Sequence, residues 1–160
     1  MGEKVIRDWK KVKETDLKYI SYELKELVDI PCVIFLEGPV GAGKTTFVKN
    51  FDEKEKSLSP TYSILSEGKT LLHGDFYRIK ESNEITMLEL ELYLNNKDYF
   101  FAEWGLKHLR NINREVPESF NYYSLEIEPF LSTEVIDESE PSEVDSGLRN
   151  FILRELSDID

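Results

Sequence analysis

Stretches that are apolar at every position alternate along this chain with stretches whose apolar residues recur three to four apart. Leu17, Ile20, Leu24, Leu27 and Val28 have the helical spacing, so Thr15–Asp29 is expected to form an amphipathic helix. Thr15 offers a cap, Asp16 a carboxylate for the positive end of the helix dipole, and Pro31 a stop. Cys32-Val-Ile-Phe-Leu36 is continuously apolar, as a strand covered on both faces should be. Glycines punctuate Gly38–Gly43, and Lys44–Phe51 then starts a second helix with Phe47, Val48 and Phe51 on one side.

Leu71–Phe76 and Tyr99–Ala102 read as two more buried strands. Between them, Glu84–Asn95 is read as a helix: Leu88, Leu90, Leu92 and Leu94 alternate like a strand, but Leu, Met and Glu favour the helical state. Lys4–Val12 and Tyr122–Ile127 are expected strands, Ser57–Thr61 a loop, and Trp104–Asn113 a loop followed by a helix. Glu134–Glu143 reads as a linker. Ser142 with Asp145 three residues on resembles a capping pattern ahead of Leu148, Phe151, Ile152 and Leu156, which predicts a short C-terminal helix. Strand–helix alternation implies an α/β fold with a mostly parallel central sheet flanked by helices. Residues 1–130 are read as one domain, and 131–160 as an acidic extension of it rather than a second domain.

Composition removes several classes. At 160 residues, 40% hydrophobic and 32% charged, with eight Gly and six Pro, the chain is neither fibrous nor largely disordered. No apolar run reaches the roughly 20 residues of a membrane helix. The opening MGEKVIRDWKK has no apolar leader, and the single Cys32 suits a reducing compartment, so a cytoplasmic protein with no membrane association is expected. Net charge is −12 but uneven: residues 1–114 hold 18 basic and 19 acidic residues, whereas 115–148 hold no Lys or Arg and ten acids. Such a field repels a polyanion, so nucleic acid would be reached through a partner that carries the phosphate contacts.

Gly38-Pro-Val-Gly41-Ala-Gly43-Lys44-Thr45 matches G-x-x-x-x-G-K-[ST] in full, between a buried strand and a helix. Glycines let successive N–H groups face inward as an anion nest, and the helix adds its dipole. Lys44 would reach the β- and γ-phosphates, and the Thr45 hydroxyl would take one Mg²⁺ position. Three clusters narrow the reading. Ser59-Pro-Thr61-Tyr62 lies 14 residues beyond Thr45, where a Thr hydroxyl can sense the γ-phosphate or the metal. His73-Gly-Asp75-Phe-Tyr77-Arg78 places Asp75 at a strand end, facing a metal or a water. Glu103-Trp104 supplies a second carboxylate, which needs a cation or a hydrogen-bond network if buried. A zinc role for His73 is disfavoured, because His108 is the only other histidine and Cys32 sits in the core.

GPVGAGKTTF, SPTY, HGDFYR and EW, in this order, resemble the TsaE (YjeE) family, over roughly Val12–His108. The resemblance implies a P-loop NTPase-like fold that binds ATP with Mg²⁺ and hydrolyses it slowly. It also implies docking on the TsaD–TsaB pair that transfers a threonylcarbamoyl group to tRNA adenosine, with tRNA reached through those partners and the free chain a monomer or weak oligomer. Residue by residue, it implies that Gly38, Val40, Gly41, Ala42, Gly43, Lys44, Thr45 and Thr46 hold the phosphates. Thr61 falls in a switch-like loop, Trp104 packs beside the nucleotide, and Thr45, Asp75 and Glu103 share the metal and water positions. Adenine is expected near Lys13–Thr15. Pro39 stands where the family carries an acidic residue and Gly74 where it carries an aromatic one, and past Asn113 no match is evident. Two alternatives stay open: a small-molecule kinase using Arg110 and Arg114, and a nucleotide-gated binding module in which hydrolysis is incidental.

Overall fold

A computed structural model describes residues 1–51, 64–134 and 142–159. Its framework is one sheet of seven strands in the order β1-β7-β6-β2-β5-β4-β3. The strands are β1 (Gly2–Val12), β2 (Cys32–Glu37), β3 (Leu65–Glu67), β4 (Leu71–Asp75), β5 (Tyr99–Glu103), β6 (Asn121–Glu134) and β7 (Ser142–Ser157). The described helices are α1 (Leu17–Leu27), α2 (Lys44–Phe51), α3 (Asn83–Met87), α4 (Leu90–Leu94) and α5 (Leu109–Glu115).

The sheet is mixed, which corrects the mostly parallel expectation. β6, β2, β5 and β4 run parallel to their neighbours in that block, whereas β1 on β7, β7 on β6 and β3 on β4 are antiparallel. Only seven residues separate β6 from β7. A parallel crossover needs a dozen or more.

Ser142–Ser157 is a strand, not the expected helix. Phe151 and Leu153 are buried on one face of the sheet and Leu156 on the other, so the run Phe151-Ile-Leu153 is read with period two. The apparent cap is not made either: the Asp145 carboxylate accepts from Arg149 and from the Gly147 N–H. The linker expected over Glu134–Glu143 falls mostly outside the described residues, and the Ser59–Tyr62 loop with Thr61 lies outside them entirely.

Two cores flank the sheet. Cys32, Ile34 and Leu36 of β2, with Tyr99 and Phe101 of β5, face α1 and α2. Val33, Phe35, Phe100 and Ala102 face the other way, onto Ile85, Leu90, Leu94 and Ile112 of α3, α4 and α5. Burial on both faces is what a continuous apolar run requires. Phe47, Val48 and Phe51 of α2 are buried together, and Phe51 meets Phe101 edge-on with ring centroids 4.7 Å apart.

Local details depart from expectation for physical reasons. The helix read over Glu84–Asn95 breaks in two at Glu89, which adopts φ 54°, ψ 51°. The break turns Leu90 and Leu94 onto the same core as Ile85; an unbroken helix would point them away. Ahead of α1, the Asp16 carboxylate rather than Thr15 does the capping, accepting the Lys13 N–H at 3.1 Å. At Gly74 a Cβ would lie 2.7 Å from the Phe76 ring, so Phe76 and Phe100 fill the space of any larger side chain.

Candidate functional site

The parallel block ends in one place. Leu36 pairs with Glu103 and Asp75 with Glu103, so the carboxyl ends of β2, β4 and β5 are level. Glu37, Asp75 and Glu103 therefore leave the sheet side by side at the mouth of the glycine loop. Gly38 opens that loop at φ 145°, and a Cβ there would sit 2.2 Å from the Ile127 carbonyl oxygen of β6. Only glycine lets the chain turn this close to its neighbour strand.

The loop leads into a cleft of about 950 Å³. Val40, Gly41, Gly43, Lys44, Thr45 and Thr46 form one wall, and His73, Asp75, Tyr77, Arg78, Glu103 and Trp104 line the rest. Of the residues named from the sequence, Gly38 lies beneath the loop as a carbonyl acceptor, and Ala42 turns its methyl into the core. Arg110 and Arg114, the pair a kinase would use, sit on α5 and do not line the cleft.

Lys44 is 5% exposed, an unusual placement for an ammonium. Its Nζ donates to the Gly38 carbonyl at 2.6 Å and stands 3.6 Å from the centre of the Trp104 ring. Burial pulls its pKa below the ordinary lysine value, against the opposing pull of Glu103, Glu37 and Asp75. Trp104 adopts φ 57°, a left-handed conformation costly for a bulky side chain, and meets Tyr77 edge-on at 5.2 Å.

Glu103 is 4% exposed and fully engaged. Thr45 Oγ1 lies 3.0 Å from each of its oxygens, and His73 Nε2 is 2.5 Å from Oε2. Burial raises the Glu103 carboxyl, but the hydrogen bond and charge of His73, the Thr45 hydroxyl and Lys44 outweigh it and hold the group below its ordinary value. His73 is thus the side-chain partner of the Glu103 carboxylate. Among the described residues no three His, Cys, Asp or Glu side chains group as a metal site. Asp75 is exposed at the rim, where its Oδ1 accepts the Tyr77 N–H at 3.1 Å.

Glu37 is the least satisfied buried carboxylate among the described residues. Its Oε1 is buried without a hydrogen-bond partner. Burial raises its pKa above 4.5, more than Lys44 and the Leu106 N–H lower it. A carboxyl raised on folding holds its proton more tightly in the folded chain, so stability falls as pH climbs from 4.5 to the folded value, and the deficit persists above it. Glu37→Gln is expected to raise the midpoint of thermal unfolding by about 2–4 °C at pH 7 and to change it little at pH 4. A midpoint at pH 7 no higher than the parent's would contradict this.

No local pattern in the sequence marks Glu37 or Arg149 as site residues, or pairs His73 with Glu103, 30 positions away. Arg149 of β7 donates from its guanidinium to the Ala42 carbonyl at 2.9 Å from behind the loop. It lines a second cavity of about 190 Å³, shared with Val12, Lys13, Glu14, Leu17 and Thr46.

A mixed α/β sheet whose central strand runs through a glycine loop into a helix, with a lysine and a threonine at the turn, is consistent with a P-loop-like fold. The family model described as "Threonylcarbamoyl adenosine biosynthesis protein TsaE" matches residues 11–130. The chain belongs to the TsaE family. It is 32% identical over 118 residues to the tRNA threonylcarbamoyladenosine biosynthesis protein TsaE of Bacillus subtilis, covering 69% of this chain and 71% of that one. It is 34% identical to the protein of the same name from Rickettsia felis over 60% of this chain, and 29% identical to that of Haemophilus influenzae over 56%. In each of the latter two the match spans 62% of the relative's length. The crystal structure of Bacillus subtilis YdiB has the same fold, with a TM-score of 0.59 and 22% identity over 98% of this chain and 89% of that one. Among the described residues no helix is long and apolar enough to cross a membrane.

Proposed function

We propose that this chain binds ATP with Mg²⁺ at the glycine loop and hydrolyses it, weakly alone and faster with partners, in the threonylcarbamoylation of tRNA adenosine. The carrying observation is the convergence of Lys44, Thr45 and Glu103 at the floor of an open cleft. The partners in this reading are the TsaD–TsaB pair, and the setting is the cytoplasm. The acidic charge of 115–148 supports reaching tRNA through those partners rather than directly.

The donors suit a magnesium ion. A hydroxyl and a carboxylate oxygen 3.0 Å apart match the edge of an octahedron with metal–oxygen bonds of about 2.1 Å. Thr45 and Glu103 would hold the ion, Asp75 would stand at the rim, and phosphate oxygens and waters would complete the shell. When bound, Mg²⁺ neutralises charge on the β- and γ-phosphates.

The chain's own groups do the rest. Lys44 leaves the Gly38 carbonyl for the phosphates and offsets the negative charge that builds as water attacks the γ-phosphorus and the bond to the ADP oxygen breaks. Asp75 or Glu103 orients that water. The smaller cavity beside Lys13 and Glu14 takes the adenine. The test is ATP hydrolysis by the chain alone and with the TsaD–TsaB pair. Stimulated turnover is expected; normal nucleotide binding without stimulation would defeat the proposal.

A further inference from the structure

We propose that Arg149, more than a hundred residues downstream of the glycine loop, is the positioning residue that turns the loop's Gly43 N–H toward the cleft and so sets its affinity for a polyphosphate. This rests on the nucleotide reading above and extends it to a residue outside every motif of the N-terminal two-thirds.

A bulge in β7 aims the side chain. Leu148 pairs with Phe130 and Asp145 with the adjacent Leu131, so Ser146 and Gly147 are extra on the β7 side. Gly147 takes φ 81°, its N–H donates to Asp145 Oδ1 at 2.8 Å, and the Ser146 hydroxyl donates to the Phe130 carbonyl. Such bulges bend a strand and redirect the side chains that follow. Arg149 then reaches back under the loop. Nη1 and Nη2 grip the two Asp145 oxygens at 2.8 and 3.1 Å, Nε donates to the Ala42 carbonyl at 2.9 Å, and Nη2 lies 3.4 Å from the Gly41 carbonyl.

A trans peptide is planar, and its C=O and N–H point in opposite directions. Drawing the Ala42 oxygen back onto Arg149 therefore drives the Gly43 N–H forward into the cleft. That orientation needs a lock. Gly43 has φ 104° and no side chain, so no Cβ of its own holds this peptide against flipping. The glycine that permits the nest also permits its collapse. Arg149 supplies the lock through geometry rather than field, because Asp145 already neutralises its charge. A lysine, with a single ammonium, cannot span Asp145 and the loop carbonyls in the same way.

The experiment is calorimetric titration of the full-length chain with MgATP and, separately, with inorganic tripolyphosphate, which has no base to bind elsewhere. Arg149→Ala is expected to weaken both ligands by about tenfold or more, the loss typical of a charge-assisted hydrogen bond. Arg149→Lys should recover only part of this, and Asp145→Asn should give an intermediate loss with an unchanged unfolding midpoint. The proposal is overturned if Arg149→Ala binds both ligands as the parent does. It is equally overturned if only MgATP weakens, which would place Arg149 at the base-side cavity. Should Arg149→Ala fail to fold, parental affinity in the folded Arg149→Lys and Asp145→Asn chains overturns it. A parent chain that binds neither ligand overturns the nucleotide reading along with it, a result distinct from parental binding that the variants leave unchanged.

Discussion

Lys44→Ala is expected to abolish measurable ATP turnover, a loss of at least about 10²–10³-fold, while leaving the fold intact. The size follows from where the ammonium sits. It is 5% exposed, on the floor of a cleft whose other charged lining groups include Asp75 and Glu103. Without it, a polyphosphate meets carboxylates, with Arg78 among the described lining residues placed at the exposed rim rather than at the floor. Removing charge stabilisation from a buried position costs more than removing it from a surface. Stability should move the other way or not at all, because burial already holds the Lys44 pKa down and the fold keeps this cation charged at a cost. Turnover and thermal unfolding measured on the same preparation separate these effects. A midpoint several degrees lower would mean that the lysine is structural and the account of the cleft is wrong.

The second large effect is expected at Glu103. Glu103→Gln keeps the shape and one hydrogen-bonding oxygen for Thr45 or His73 but removes the anion at the proposed metal position. Turnover should fall by about two orders of magnitude. ATP binding without magnesium should be nearly unchanged, or slightly tighter because a negative charge has gone from beside the phosphates. The magnesium-dependent increment in affinity should disappear. Titrations with and without magnesium read this directly. A variant that keeps its magnesium increment would move the metal position to Asp75, which stands exposed at the rim. The substitution is cleaner than Glu103→Ala, which would leave His73 Nε2, now 2.5 Å from the carboxylate, buried without an acceptor.

What could be read in advance divides by distance along the chain. Glycine, lysine and threonine at fixed spacing after a β-branched run are a local pattern, and their geometry follows from backbone chemistry. The burial of β2 and β5 on both faces was legible for the same reason. The C-terminal strand departs from the expected helix because Leu148, Phe151, Ile152 and Leu156 suit a helix by spacing alone. Only the pairing with β6 on one side and β1 on the other selects the strand. β1, expected over Lys4–Val12, likewise owes its full extent to a partner near the far end of the chain. The mixed sheet followed from that hairpin, which composition marked only as acidic. Within the cleft, Glu103 could be named as a carboxylate at a strand end, but its hold on Thr45 and His73 spans 58 and 30 positions. Arg149 is 107 positions from Ala42 and has no motif around it. Contacts of that separation are products of the fold and leave no local trace.

The nest itself is tested most directly by titrating MgATP into the folded chain and into Lys44→Ala by calorimetry, up to millimolar nucleotide. A saturable heat of one nucleotide per chain is expected for the parent, with no such heat for the variant. Absence of heat from the parent, or equal heats from both, would contradict a polyphosphate site at the glycine loop.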